Sequence, residues 1–418
     1  MDVRTMTTRE DRTDDGRADE GSVPDGEASI APLAGGVQYR PGLTGLRAVA
    51  VTGIVLAAAG HTWIPGGRVA GVEVLFVVSG YLTVATVTAA DRPLRRADAA
   101  RALAARARRV LPALLTLLGG VSLLVLATRP DGLFRLGGEI RATLLGIVNW
   151  QIIMAADDAA AVPSSVEHLW PIAVGAQLTL VVVLSLMAAA TPRARALVRL
   201  GAVVLAVASA IALSVLADGP QIADRLRYGT DTRATGLLLG AAMGLAVTPA
   251  RHGTVTGIRG RRLRTVGVLA VLGIVVTMWV GGEGAGWIGA GGPLLTDVLA
   301  VVAVAVIVRG AAAGPLMASG LQWLGLRSYA IYLWHWPVIV ALGGPSAVAR
   351  PTTTAVYLLS VVILGDVTYR FVEVPLGATW RVEGSRTAGR TGVAVGVAGL
   401  ACGAACAAAL LTSAPFMP

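Results

Sequence analysis

The sequence predicts an all-α, polytopic membrane protein: a bundle of about 11 transmembrane helices plus one re-entrant or interfacial helix. Three observations carry this prediction. The 418 residues are 55% hydrophobic and only 14% charged, with a mean hydropathy of +0.70, whereas a soluble domain carries roughly 25% charged residues. Apolar runs of about 17 to 25 residues recur from Leu43 onward, the length that crosses a hydrocarbon core. Every Lys/Arg position is arginine, and the arginines gather in short loops between the apolar runs, as topology signals do. The net charge of +10 therefore calls for no nucleic-acid partner. The alternating strands of a membrane β-barrel are absent from the pattern. Arginine without lysine, with heavy use of Ala, Gly and Val, points to a GC-rich bacterial genome.

The elements follow in order. Residues 1–38 hold nine acidic residues against four arginines and read as a disordered, acidic cytoplasmic tail. They lack the basic-then-apolar order of a signal peptide. Spans are expected at about 43–60, 69–90, 110–128, 167–190, 197–217, 232–249, 265–281, 293–309, 328–344, 353–372 and 391–412. Arg92, Arg95, Arg96, Arg101, Arg106, Arg108 and Arg109 follow the second span. Arg193, Arg195 and Arg199 follow the fourth, Arg251 to Arg264 the sixth, and Arg381, Arg386 and Arg390 the tenth. All four loops fall on the cytoplasmic side if the N-terminus is cytoplasmic, which puts the C-terminus outside. Counting 135–156 as a span would reverse Arg193, Arg195 and Arg199, so it is read as re-entrant or interfacial. Residues 39–376 then form the transmembrane domain, 377–390 a basic cytoplasmic linker, and 391–418 an extra helix with a short external tail. Cys402 and Cys406 share a face of that helix without further ligands, so no metal site is expected. No internal repeat supports a transporter built from inverted halves.

Polar groups at membrane depth are functional candidates. In LTGLRAVAVTGIVLAAAGHTWIPGGRVAGVEVLFVVSGYL these are Arg47, His61 and Glu73. On a continuous helix Arg47 and His61 lie about 21 Å apart and within about 40° of one face, so both can line a groove across the bilayer. Arg can hold a phosphate or carboxylate bidentately, His can act as general base, and Glu73 can orient His61 or pair with Arg47. Alternatively Arg47 snorkels to the cytoplasmic surface and His61 sits in interfacial water. Glu167, His168 and Trp170 sit at an outer helix end, as an acid–base pair or an interfacial anchor. Asp231 and Arg233 either pair with each other or contact substrate. His335, in an aromatic run broken by Pro337, should face the bundle interior. Arg370 and Glu373, three apart, should pair. Arg106, Arg108 and Arg109 serve topology or clamp a polyanionic nucleotide such as coenzyme A.

Together LTGLRAVAV, GVEVLFVVSGYL, RARRVLP, Asn149-Trp150, HLWPIAV, TDTRATGLLLG, SYAIYLWHWP and YRFVEVP resemble the integral-membrane acyltransferase family 3, O-acyltransferases of surface polysaccharides, from about Tyr39 to Leu376. The resemblance implies ten core helices and transfer of an acyl group, usually acetyl, from cytoplasmic acyl-CoA to a hydroxyl of an extracytoplasmic glycan, with no permanently bound cofactor. It also implies that an eleventh helix can lead to an external domain, which is not expected after 391–412 here. The chain departs from the family at the chemistry. Thr44 replaces an Asp, and Ala58 stands where the family's catalytic His is expected, after ten intervening residues from Arg47. His61 comes three residues late, which is about 4.5 Å along a helix and about 60° round it. Glu73 replaces an Asp, and Gly175 and Ala176 replace paired glutamates before Gln177. Two functions therefore compete: an acyltransferase using His61, Arg47 and Glu73 with acyl-CoA held by Arg106, Arg108 and Arg109, and a non-enzymatic accessory or lipid-binding protein of the same fold. A transporter ranks third.

Overall fold

A computed structural model describes residues 39–376, apart from 89–93, 129–131, 156–163, 218–222, 248–256 and 311–313. The acidic tail, the 377–390 linker and the 391–418 segment with its two cysteines lie outside the described residues. Every described element is helical. In chain order these are α1 (Pro41–Ala58), α2 (Gly67–Thr88), α3 (Arg96–Thr128), α4 (Leu133–Leu144), α5 (Val148–Met154), α6 (Trp170–Ala188), α7 (Pro192–Leu216) and α8 (Ala223–Tyr228). There follow α9 (Thr235–Ala246), α10 (Gly257–Val280), α11 (Ala285–Gly289), α12 (Gly292–Val308), α13 (Ser319–Ala341), α14 (Pro345–Val348), α15 (Pro351–Thr368) and α16 (Val374–Leu376).

Seven helical stretches are long and apolar enough to cross a membrane. They are α1, α2, α3, α6 with its preceding turn, α7, α10 and the run from α15 to Leu376. The expectation of about 11 is thus met only in part, for physical reasons. Helix α9 has 12 residues and α12 has 17, so α9 reaches only about 18 Å. Helix α13 has the length but carries Arg327 and His335 among its buried residues. The 135–156 segment is two short helices rather than one, divided where Gly146 takes a φ of +71°, and neither is long enough to span.

Helix α2 is the hub, packed against α1, α6, α9, α10 and α12. Its most apolar window is 72% buried, against 22% for those of α7 and α10. Those outer helices turn Leu197, Leu200, Ile211, Leu269 and Leu272 outward, the composition of a lipid-facing surface. Small residues let the inner helices meet backbone to backbone, as membrane bundles require. A Cβ on Gly80 would stand 2.0 Å from the Leu237 carbonyl oxygen, and one on Gly240 2.1 Å from that of Val77.

Helix α1 stops early. Gly60 adopts a left-handed φ of +78°, a conformation that glycine adopts readily. Its N–H closes the helix end on the Ala57 carbonyl. The continuous helix on which Arg47 and His61 would share a face therefore ends before His61. Helix α3 is longer than expected: it runs back through the arginine-rich segment to Arg96, where Ala and Arg are strong helix formers.

Gly80→Val should lower the thermal midpoint of the detergent-solubilised protein sharply, because backbone on α9 cannot yield to the new side chain. Gly201→Ala, with open space around it, should not lower the midpoint, since alanine is the better helix former.

Candidate active site

A cavity of about 250 Å³ opens among these helices. Ile54 of α1, Val69 and Val72 of α2, Trp170, Tyr332, His335 and Trp336 form its walls, together with His168 from the turn before α6. Arg68, Glu167, Asp224, Arg227, Arg233 and Glu283 supply its charges. Glu283 links two of them, accepting from Arg68 at 2.8 Å and from Arg227 at 3.1 Å.

Helix α13 fixes the His168 turn from three points. Trp336 Nε1 donates to the Ser164 carbonyl at 2.9 Å, the Tyr332 hydroxyl donates to the His168 carbonyl, and His168 Nε2 donates to the Leu333 carbonyl at 2.8 Å. A carbonyl can only accept, so the proton sits on Nε2 and the neutral ring keeps its lone pair on Nδ1. His335 is held likewise, donating from Nδ1 to the Tyr332 carbonyl. The two imidazoles meet edge to face with centroids 5.2 Å apart. On the other flank Glu139 accepts from Ser164 at 2.8 Å and Arg135 at 3.1 Å. Burial raises the Glu139 carboxyl above its ordinary range.

Beside the cavity lies a buried ion pair, Arg233 Nη1 to Glu73 Oε1 at 2.9 Å, both groups at most 3% exposed. The Arg233 guanidinium stacks 5.3 Å over the Trp170 ring. Asp297 of α12, fully buried, shares a water-sized pocket with them. Neither of its oxygens has a hydrogen-bond partner among the described residues.

A second polar cluster gathers arginines. Arg106 reaches back to α2, donating to Ser79 Oγ at 3.1 Å, and Arg47 donates to Ser328 Oγ at 2.7 Å. Arg109 lies within electrostatic reach of Arg47 and Arg106, and Glu373 within reach of Arg47 and Arg109. A Cβ at position 175 would stand 3.6 Å from Arg106 Nη2. An acid there would neutralise Arg106; glycine leaves the guanidinium to hydroxyl partners. Two rulers relate this cluster to the imidazoles. Along α6, Gly175 is seven residues past His168; along α13, His335 is six past Tyr329, whose hydroxyl donates to the Val110 carbonyl of α3. Either count gives about 10 Å.

Several sequence expectations need correction. Glu73 neither orients His61 nor pairs with Arg47, because α2 turns it to Arg233. His61 leaves α1 beyond Gly60, stacks on Trp63 and does not line the cavity. Arg47 joins Arg106 and Arg109 instead. Arg108 points away from them and is exposed, being two positions from Arg106 on a helix. Asp231 pairs with Arg225 at 2.7 Å, not with Arg233. Arg370 pairs with Asp366 at 2.8 Å, because a π-helical turn over Tyr369–Glu373 breaks the three-residue register with Glu373. His168, Trp170, Arg233 and His335 do converge on one cavity. Asp297 escaped the sequence reading, although a lone acid in an apolar run is the signal that singled out Glu73. Asn149 and Gln177 close a polar knot between α5, α6 and the turn after α8, through bonds of 3.0 Å to each other and of 3.0 and 2.6 Å to Thr230.

The fold and the site define an integral-membrane helical protein with polar chemistry inside the bundle. The model of the acyltransferase 3 family, described as an acyltransferase domain, matches residues 40–370, and the chain belongs to that family. It is 31% identical over 366 residues to YrhL of Bacillus subtilis, provisionally named a peptidoglycan O-acetyltransferase, covering 84% of this chain and 56% of the relative. It is 28% identical over 358 residues to the peptidoglycan O-acetyltransferase OatA of Listeria monocytogenes, covering 81% and 56%. It is also 28% identical to the O-acetyltransferase OatA of Staphylococcus aureus, covering 81% and 57%. The chain thus spans little more than half the length of these relatives. No solved structure matches it.

Replacing Arg233 with Met should destabilise the protein by about 3–5 kcal/mol, the cost of stranding one member of a buried ion pair. Asp297→Asn should cost far less, because two carboxyls face one guanidinium. Thermal unfolding of the two variants side by side checks the order.

Proposed function

We propose that this chain is a membrane O-acetyltransferase that moves an acetyl group from cytoplasmic acyl-CoA to a hydroxyl of an extracytoplasmic glycan. The observation that carries the reading is the stacking of two polar stations about 10 Å apart along α6 and α13. The arginine station, Arg47, Arg106 and Arg109, suits the phosphates of coenzyme A and belongs at the cytoplasmic end by the positive-inside pattern. The cavity around His168, Trp170, Arg233 and His335 suits a hydroxylated acceptor entering from outside. Its aromatic walls fit the faces of a sugar ring, and its charged rim fits the polar edge. The kinship with peptidoglycan O-acetyltransferases supports a cell-wall glycan as acceptor. Asp231, in its surface pair with Arg225, does not line that cavity. Arg108 is left to the topology signal.

Ala58, Gly175 and Ala176 favour a second reading, a non-enzymatic accessory or lipid-binding protein of the same fold. Purified full-length protein in nanodiscs, given labelled acetyl-CoA and peptidoglycan fragments, separates the two. Acetylated glycan supports the first reading. Absence of turnover, unrestored by Ala58→His, supports the second.

Arg106→Ala and Arg109→Ala should each weaken coenzyme A binding by about tenfold or more, the worth of a charge-assisted hydrogen bond. Arg108→Ala should stay within about twofold on the same reasoning. Titration calorimetry on the nanodisc-embedded protein measures all three.

A further inference from the structure

Acetyl transfer to a hydroxyl requires a group that takes the hydroxyl proton. At position 58, where the family resemblance expects that group, this chain has a methyl, and His61 lies outside the cavity. We propose that His168 Nδ1 is the general base in this chain, an assignment that rests on the acetyltransferase reading above. Four observations converge on it. His168 is among the residues that line the 250 Å³ cavity, which puts the residue at the wall of the space an acceptor would occupy. The residue is 7% exposed, and Nδ1, itself buried, has no hydrogen-bond partner among the described residues. Its Nε2–H is committed to the Leu333 carbonyl at 2.8 Å, which leaves the lone pair on the nitrogen that lacks a partner. Its backbone carbonyl and ring edge are held by Tyr332 and His335, so the ring is preorganised.

The vacated position addresses the same space. Ile54 lines the cavity, and Ala58 lies one turn beyond it on the same face of α1. The distance to the arginine station also fits. Phosphates held at Arg106 leave about 10 Å for the flexible arm that carries the thioester toward the imidazole.

The step balances without another reactant. The acceptor O–H bond breaks and its proton passes to His168 Nδ1. The oxygen forms a bond to the thioester carbonyl carbon. The carbon–sulfur bond then breaks, and the leaving thiolate takes the proton back from the imidazolium. The products are an acetyl ester and a free thiol, with the ring returned to its starting tautomer.

The test uses full-length protein in nanodiscs with labelled acetyl-CoA and peptidoglycan fragments. His168→Asn and His168→Gln should each cut transfer by about 100-fold or more while leaving coenzyme A affinity within about twofold, since the donor's phosphates bind elsewhere. His61→Ala should keep its rate within about twofold. A His168→Gln protein that binds coenzyme A normally and retains more than about a tenth of the rate would overturn the assignment. Wild-type protein without turnover would sink the acetyltransferase reading instead. The imidazole is then judged by its own chemistry. Diethyl pyrocarbonate with peptide mass mapping should carbethoxylate His168 in the folded protein. Modification of His61 with His168 untouched would contradict an accessible base at that position.

Discussion

The buried Glu73–Arg233 pair is the constraint on which the rest of the bundle depends. Neither charge reaches water, and an unpaired charge at membrane depth costs several kcal/mol. Their 2.9 Å contact therefore locks α2, the hub, to the segment that opens α9. The glycine contacts between these helices let their backbones approach closely beside the pair. Once that approach is fixed, Arg233 lies over Trp170, Trp170 starts α6, and the His168 turn is carried to the wall of the cavity. The pair is structural in its energy and functional in its consequence.

Above and below this pair, polar groups are arranged by sharing rather than by isolated partners. Asn149, Gln177 and Thr230 satisfy one another across three elements, and backbone carbonyls fix both imidazoles. Such closed networks let polar atoms sit in a low-dielectric interior without an unmet donor. Among the described residues, the exceptions include His168 Nδ1, the carboxyl oxygens of Asp297 and Glu373 Oε1, which are buried without a hydrogen-bond partner. Orphaned buried atoms are costly, and these border the stations assigned here to proton transfer, charge balance and donor binding.

The helical class, the membrane setting and the residue types of the interior were legible in the sequence, because span length and buried charge are one-dimensional signals. His168, Trp170, Arg233 and His335 were legible for the same reason. What escaped depended on helix phase and partner choice. Gly60 ends α1 through a single backbone angle, which displaces His61 from the groove it was expected to share with Arg47. One π turn rotates Glu373 away from Arg370. Arg106 and Arg109 face inward while Arg108 does not, a difference set by where α3 begins and not by the basic run itself. Asp297 was visible as a lone acid but gained meaning only when α12 brought it to Glu73.

The central claim is that donor and acceptor stations stand in one column through the bundle, and an experimental structure of the full-length protein with coenzyme A in a nanodisc tests it most directly. The account predicts density for the phosphates against Arg47, Arg106 and Arg109, with the thiol end directed along α6 toward His168. Phosphate density on the exposed Arg108 face, or a thiol end pointing away from the cavity, would contradict it.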